Sequence, residues 1–253
     1  MISIFLAGAS GKMGLEIQKL IAEHRDWSLD AVLLHEKPTT QAYDPQVKVF
    51  HDLDQIQGNY DIWIDVTRPD AVLKNAIWAI EHKITPIIAT SGLTADAIKQ
   101  LQLLAEHYHV NGIIAPNFSI SAVLMMSFSA IAAKFMPDVS IEEIHHPDKL
   151  DAPSGTARIT AGLLAAAGAQ TSHFPKNDGG DKNIVDQLLI TSKRQQGYVA
   201  YQSVDFRNDN ETLTIAQNSL NRKSFMPGVA LAIKKARQQQ GLIVGLDKVM
   251  GLE

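Results

Sequence analysis

Short apolar blocks alternate with longer amphipathic stretches through the first half of this chain, and that alternation is its main signal. The opening block, Ile2 to Ala7, reads as a buried strand. It runs into Gly8-Ala9-Ser10-Gly11-Lys12-Met13-Gly14 and then into a helical pattern with Leu15, Ile17, Leu20 and Ile21 on its apolar side. Further strand-length blocks lie at Leu29 to Leu34, Val47 to Phe50, Ile62 to Val66, Pro86 to Ala89 and Gly112 to Ala115. Helices are predicted from the Thr67-Arg68-Pro69 turn to about Lys83, and from Ala95 to about Tyr108. Strand and helix alternating in this way predict an α/β fold built on a Rossmann-like, doubly wound parallel sheet.

Beyond residue 119 the pattern changes. An apolar helix from Ser121 to Phe135, whose methionines read as core packing, leads to a half-buried strand at Val139 to Ile144. Pro147 breaks that strand, and an Ala- and Leu-rich helix follows, with Ser154 as N-cap, through Ala167. A polar, glycine-bearing loop spans Gly168 to Asn183, with His173 read as a surface histidine. Three strand-like runs come next, at Leu188 to Lys193, Tyr198 to Phe206 and Thr212 to Gln217, and a last helix at Val229 to about Gln239. These elements predict a second α+β domain with a mixed, open sheet.

Composition acts mainly by exclusion. The 253 residues carry a formal net charge of −4, which offers no basic surplus for a phosphate backbone, so no nucleic-acid partner is expected. Cysteine is absent, which excludes disulfides and thiolate catalysis and is compatible with a reducing cytoplasm. The N-terminus has no basic leader and no long apolar run, so neither a signal peptide nor a membrane span is expected.

Two stretches carry chemistry. The first is the glycine turn between strand and helix, where Gly8, Ala9, Ser10, Gly11, Lys12 and Met13 are candidate dinucleotide ligands: glycines admit a pyrophosphate, and a helix start faces it. A Walker A loop is rejected, because the glycine spacing is wrong and Met13 follows Lys12 where a hydroxyl is needed. Glu36, about twenty residues on, is a candidate for the adenosine ribose, and Lys37 for a 2′-phosphate; a charged loop is an equally good reading of either. Gly8, Thr67, Thr90 and Asn117 all end strands, which places them along one crevice.

The second stretch runs from Glu143 to Ala157. It delivers His145 and His146 at a strand end, adds Lys149, and then starts a helix whose positive end, with Thr156 supplying a hydroxyl and Gly155 allowing close approach, suits an anion. Imidazole is the side chain able to donate a proton near neutral pH, so the set suits a small, carboxylate-bearing substrate protonated as it reacts. Zinc is disfavoured, because adjacent strand histidines diverge and no third ligand stands at metal spacing.

The string from His145 to Ala157, HHPDKLDAPSGTA, resembles the signature of the 4-hydroxy-tetrahydrodipicolinate reductases, also called dihydrodipicolinate reductases. The Thr67-Arg68-Pro69 turn, the Ala89-Thr90-Ser91-Gly92 turn and the Ala115 to Ser119 turn are similar to that family's, and so is the closing segment from Asn221. The resemblance implies a soluble enzyme of diaminopimelate and lysine biosynthesis that uses NADH or NADPH to reduce 4-hydroxy-tetrahydrodipicolinate, with loss of water. It implies that Ala89, Thr90, Ser91, Ala115, Pro116, Asn117 and Phe118 contact the nicotinamide half of the cofactor. It further implies that Lys149, Gly155 and Thr156 hold a substrate carboxylate, that His146 helps bind the ring acid, and that His145 with Lys149 supplies the proton. By the same resemblance, residues 1–118 form the dinucleotide-binding domain, joined by the returning segment 221–253. Residues 119–220 form a substrate-binding and oligomerisation domain, and the assembly is a cytoplasmic homotetramer. The chain departs from the family pattern at His35, at Ala200-Tyr201-Gln202 and at Gln217. Arg222 is read as a solvated charge. Two rival readings stay open: a lyase with Lys149 as a Schiff-base amine, and a nucleotide sensor without turnover.

Overall fold

The structure, a computed structural model, describes residues 1–34, 43–90, 92–173 and 179–252. They divide into two compact units, one comprising Met1–Phe118 with Phe225–Glu253, the other Ser119–Ser224.

The first unit opens with β1 (Ile2–Ala7), α1 (Lys12–Ala22), β2 (Trp27–Leu33), β3 (Lys48–Phe50), β4 (Ile62–Asp65), α2 (Pro69–Glu81), β5 (Thr85–Ile88), α3 (Ala95–Tyr108) and β6 (Gly112–Ile114). The second unit holds α4 (Ile120–Ala133), β7 (Asp138–His145), α5 (Gly155–Ala166), β8 (Asp181–Val185), β9 (Leu188–Arg194), β10 (Ala200–Arg207) and β11 (Thr212–Ser219). The chain then re-enters the first unit with α6 (Met226–Lys235), β12 (Leu242–Val244) and α7 (Leu246–Met250).

In the first unit seven parallel strands run in the order β12-β6-β5-β4-β1-β2-β3. Strand order reverses between β1 and β4, the point at which such sheets open a crevice at their carboxyl ends. Beneath it Phe5 of β1 stacks on Trp63 of β4, with ring centroids 4.3 Å apart and both side chains fully buried. Helix α1 buries Gly14, Ile17, Leu20 and Ile21. Leu15, expected on the apolar side, is 40% exposed. Gly14 takes the place against the preceding turn, and that sets Leu15 about 100° round the helix, toward solvent.

The second unit is a five-stranded mixed sheet in the order β11-β10-β7-β9-β8, parallel only between β7 and β9. Residues of α4 and α5, including Met125, Ala157, Ala161 and Leu164, pack on Val139, Ile141, Ile190, Val204 and Phe206 from one face. Strand β8 begins inside the stretch read as loop. Its Asp181-Lys182-Asn183 start lacks an apolar alternation, and the β8–β9 turn uses Asp186 and Gln187, both at positive φ (49° and 68°), in place of a glycine pair.

The closing segment also differs from the single helix expected. Helix α6 starts at Met226, passes into a 3₁₀ turn at Ala236–Gln238, and is followed by β12, which pairs with β6 through Leu242 and Gly112. Three apolar residues are too few for a periodicity to register. Among the described residues no helix is long and apolar enough to cross a membrane.

Candidate functional site

Chemistry-bearing residues gather at one place in each unit. In the first unit, the turn after β1 and the turn after β4 face each other across a crevice of about 500 Å³, lined by Gly8, Ser10, Gly11, Thr67, Arg68 and Asn75 among others. Gly8 has φ +84°, and a Cβ built on it would stand 2.8 Å from the Val66 carbonyl oxygen. A Cβ on Gly14 would stand 2.6 Å from the Ala9 carbonyl oxygen. The two turns therefore approach as closely as backbone permits, and helix α1 begins at their junction with no side-chain cap on its amides. Open amides at a glycine turn and a crevice of this size fit the diphosphate of a dinucleotide.

A buried carboxylate organises this region. Asp65, the last residue of β4, is fully buried and accepts hydrogen bonds from the Thr67 amide (3.0 Å), the Thr67 hydroxyl (2.5 Å), Asn75 Nδ2 (2.9 Å) and the Thr90 hydroxyl (3.0 Å). It thereby ties the turns after β4 and β5 together. The one signal of Asp65 in the sequence is a charge ending an otherwise apolar strand.

The other expected cofactor residues fall as follows. Ala9 is buried under the glycine turn, Lys12 is exposed and Met13 is half-buried at the start of α1. Ala89 and Thr90 follow β5, and Ala115, Pro116, Asn117 and Phe118 follow β6, with Ala89 N–H on the Asp65 carbonyl and Ala115 N–H on that of Ile88, each at 2.9 Å. Neither of these two turns lines the crevice around Gly8. Glu36 and Ser91, together with His35 and Lys37, lie outside the described residues.

In the second unit the helix-facing side of the sheet changes character row by row. One row across four strands is Ile215, Val204, Ile141 and Ile190; the next is Gln217, Gln202, Glu143 and Ser192; the next is Ser219, Ala200, His145 and Arg194. The middle row is polar yet no residue in it is more than 8% exposed. Gln202 and Gln217, two of the departures from the family pattern, are thus interior residues, with Gln202 Nε2 donating to the Thr160 hydroxyl of α5 at 2.8 Å.

Glu143 is fully buried. One of its oxygens meets His145 Nδ1; the other accepts from Arg194 Nη1 at 3.2 Å and from the Ser154 amide at 3.3 Å. Burial alone would push this carboxyl up, but the hydrogen bond and charge of His145 and the Arg194 guanidinium outweigh it and hold the group below the usual glutamate range. His145 is largely enclosed, and because Nδ1 is engaged, Nε2 is the nitrogen on its other edge.

His146 lies just past the end of β7, half exposed, with Nδ1 3.2 Å from Asp148 Oδ2. Lys149 Nζ is held by Asp151 Oδ1 at 2.8 Å and Oδ2 at 3.0 Å. Ser154 caps α5 by accepting from the Ala157 amide at 3.2 Å. Gly155 is exposed, and a Cβ built on it would meet nothing within 4 Å; Thr156 beside it is half-buried. His145 and the Ser154 cap of α5 are therefore bonded to one buried carboxylate, and Arg194 joins the Lys149 carbonyl to it. Glu143 is legible as a neighbour of His145 on the same strand face; Arg194 comes from β9, 51 residues beyond Glu143 in sequence, and only the strand register reveals it. No group of three or more His, Cys, Asp or Glu among the described residues could hold a metal ion.

Comparison with known proteins agrees along the whole chain. The family model described as dihydrodipicolinate reductase, N-terminus, matches residues 2–118, and that described as dihydrodipicolinate reductase, C-terminus, matches residues 121–250. The 4-hydroxy-tetrahydrodipicolinate reductase of Lactiplantibacillus plantarum is 39% identical, over 99% of this chain and 100% of the relative. That of Lactobacillus acidophilus is 40% identical, over 98% of each. A dipicolinate-bound dihydrodipicolinate reductase from Paenisporosarcina sp. TG-14 superposes with a TM-score of 0.85 at 33% identity, covering 98% of this chain and 99% of that one.

Proposed function

The chain belongs to the dihydrodipicolinate reductase family, and from that premise we propose how its residues divide the work of reducing 4-hydroxy-tetrahydrodipicolinate to tetrahydrodipicolinate with a pyridine nucleotide. The overall change takes one hydride and one proton and releases one water. The reduced nicotinamide supplies the hydride when bound. The glycine turn from Gly8 to Met13 holds the diphosphate, Glu36 the ribose, and the turns at Ala89 to Ser91 and Ala115 to Phe118 the nicotinamide half.

Residues of the second unit handle the diacid. Lys149, Gly155 and Thr156 hold a carboxylate, joining a full charge to the positive end of a helix. His146 adds a contact to the ring acid. His145, with Lys149, delivers the proton as the ring is reduced, and His145 Nε2 is the nitrogen free of the Glu143 bond. The observation that carries this reading is that His145 and the Ser154 cap of α5 are bonded to Glu143, with Arg194 joining the Lys149 carbonyl to the same carboxylate. A Schiff-base role for Lys149 fits less well, because amine nucleophiles are made by desolvation and this ammonium already sits on the Asp151 carboxylate. The same reading assigns residues 1–118 with 221–253 to cofactor binding and 119–220 to substrate binding and assembly, in a cytoplasmic homotetramer; sedimentation of the purified protein tests the last.

The direct test is a coupled assay in which pyruvate and aspartate semialdehyde are condensed in situ and the consumption of NADH and of NADPH is followed. Substrate-dependent oxidation is expected. His145→Ala should lower turnover about a hundredfold while cofactor affinity holds. A His145→Ala protein that turns over normally, or that loses only cofactor binding, contradicts the assignment.

A further inference from the structure

We infer that Glu143 and Arg194 are the positioning residues of this reaction: an ion pair between a buried carboxylate and a half-buried guanidinium that sets His145, the Lys149 loop and the start of α5 in a single arrangement. The inference rests on the roles proposed above for those three groups.

Arg194 spends its donors on four acceptors. Nε donates to the Lys149 carbonyl at 3.0 Å, Nη2 to the Asp151 carbonyl at 2.5 Å, and Nη1 to both the Lys193 carbonyl at 2.8 Å and Glu143 Oε1 at 3.2 Å. The carbonyls of Lys149 and Asp151 flank Leu150, which is 96% exposed, so the loop bearing the ammonium is pinned from below by a planar fork while its outer side faces solvent. Glu143 supplies the other half. It is fully buried; it engages His145 Nδ1 through one oxygen and, through the other, the Ser154 amide that immediately precedes Gly155.

His145, the Lys149 carbonyl and the Ser154 amide each share one hydrogen bond with this pair, and Gly155 and Thr156 directly follow Ser154. A lone glutamate with no exposed surface is unstable as an anion, and the guanidinium is the charge that balances it. Only a five-donor planar cation reaches this set of acceptors at once; lysine has three donors on a single nitrogen. The pair touches its ligands through other residues, and a misplacement of about 1 Å in reacting groups is worth roughly a hundredfold in rate.

The test is a kinetic double-mutant cycle on the full-length protein with NADPH and substrate generated in situ. Glu143→Gln preserves the shape, and its kcat is expected to fall about a hundredfold while NADPH affinity stays within about twofold of wild type; Glu143→Asp should recover part of the loss. Because part of the effect of Glu143 passes through His145, the Glu143→Gln/His145→Ala double variant should lose less turnover than the product of the two single losses. Arg194→Lys provides an independent reading if Glu143→Gln fails to fold. By releasing the Lys149 loop it should weaken binding of dipicolinate, measured by calorimetry, about tenfold. Multiplying losses in the double variant, or wild-type turnover in Glu143→Gln together with wild-type dipicolinate affinity in Arg194→Lys, overturns the inference. If His145→Ala itself keeps full turnover, the underlying site assignment falls first; if only the Glu143 and Arg194 variants are silent, this inference alone does.

Discussion

Lys149 and Asp151 are paired two residues apart, the ammonium lying 2.8 and 3.0 Å from the two carboxylate oxygens. An exposed pair of this kind is worth about 1 kcal/mol or less, so a substrate carboxylate held by Lys149, as proposed, would displace Asp151 at small cost. Replacing Asp151 with asparagine should therefore tighten dipicolinate binding by no more than about fivefold, whereas Lys149→Met should weaken it at least about tenfold. Calorimetric titration of the two variants separates these outcomes, and equal weakening in both would show that Asp151 supports the site instead of competing for it.

Asp65 predicts a linked loss of stability and nucleotide affinity. Asp65→Ala leaves the Thr67 amide, Asn75 Nδ2 and the Thr90 hydroxyl without their shared acceptor in a buried setting. The cost is about 3 kcal/mol, a fall in Tm of about 6–12 °C for a chain of this size. NADPH binding should weaken in parallel, as the turns after β4 and β5 lose their common tether. Scanning calorimetry and fluorescence titration read the two effects, and a stability loss with intact affinity would confine Asp65 to the core.

The glycine turn grades its own substitutions. Gly14→Ala and Gly8→Ala force a Cβ against backbone oxygens at 2.6 and 2.8 Å, and Gly8 adds a positive φ. Gly11 has φ −73°, and its nearest contact for a Cβ is 3.3 Å. Nucleotide titration should show binding abolished in the first two variants and reduced by about tenfold or less in Gly11→Ala. The reverse order would remove the turn from the nucleotide site.

Acid should reveal the Glu143 pair. The folded protein holds this carboxyl below its ordinary value of 4.5, so the unfolded chain binds the proton more readily at this position. Its stabilising contribution is then complete above the unfolded value and is lost as pH falls through the folded one. Urea unfolding of wild type and Glu143→Gln between neutral pH and about pH 3 should show the stability gap between them narrowing on acidification. A gap that widens would reverse the sign of the shift.

Much of this molecule was readable from the chain because its signals are local. The run from Ile2 to Gly14 carries strand, turn and helix start together, and Ser154 caps the helix it was expected to cap. Elements fixed by distant partners were not legible. Strand β8 is an exposed edge whose identity comes from β9, and β12 is three residues whose identity comes from β6. The same holds within the site: His145 and Lys149 lie in one contiguous string, while Arg194 reaches them only through β-sheet register. Gln202 and Gln217 stand in the sequence as departures from a pattern, but only the register places them in the buried polar row beside Glu143.

Strand β12 extends the first unit's sheet along β6 with residues that follow the whole second unit in sequence. During translation, therefore, residues 119–224 emerge complete before the edge of the earlier sheet can be covered. The nascent polypeptide meets that interval with β6 unpaired on one side, an open row of backbone donors and acceptors of the kind that invites pairing with another chain.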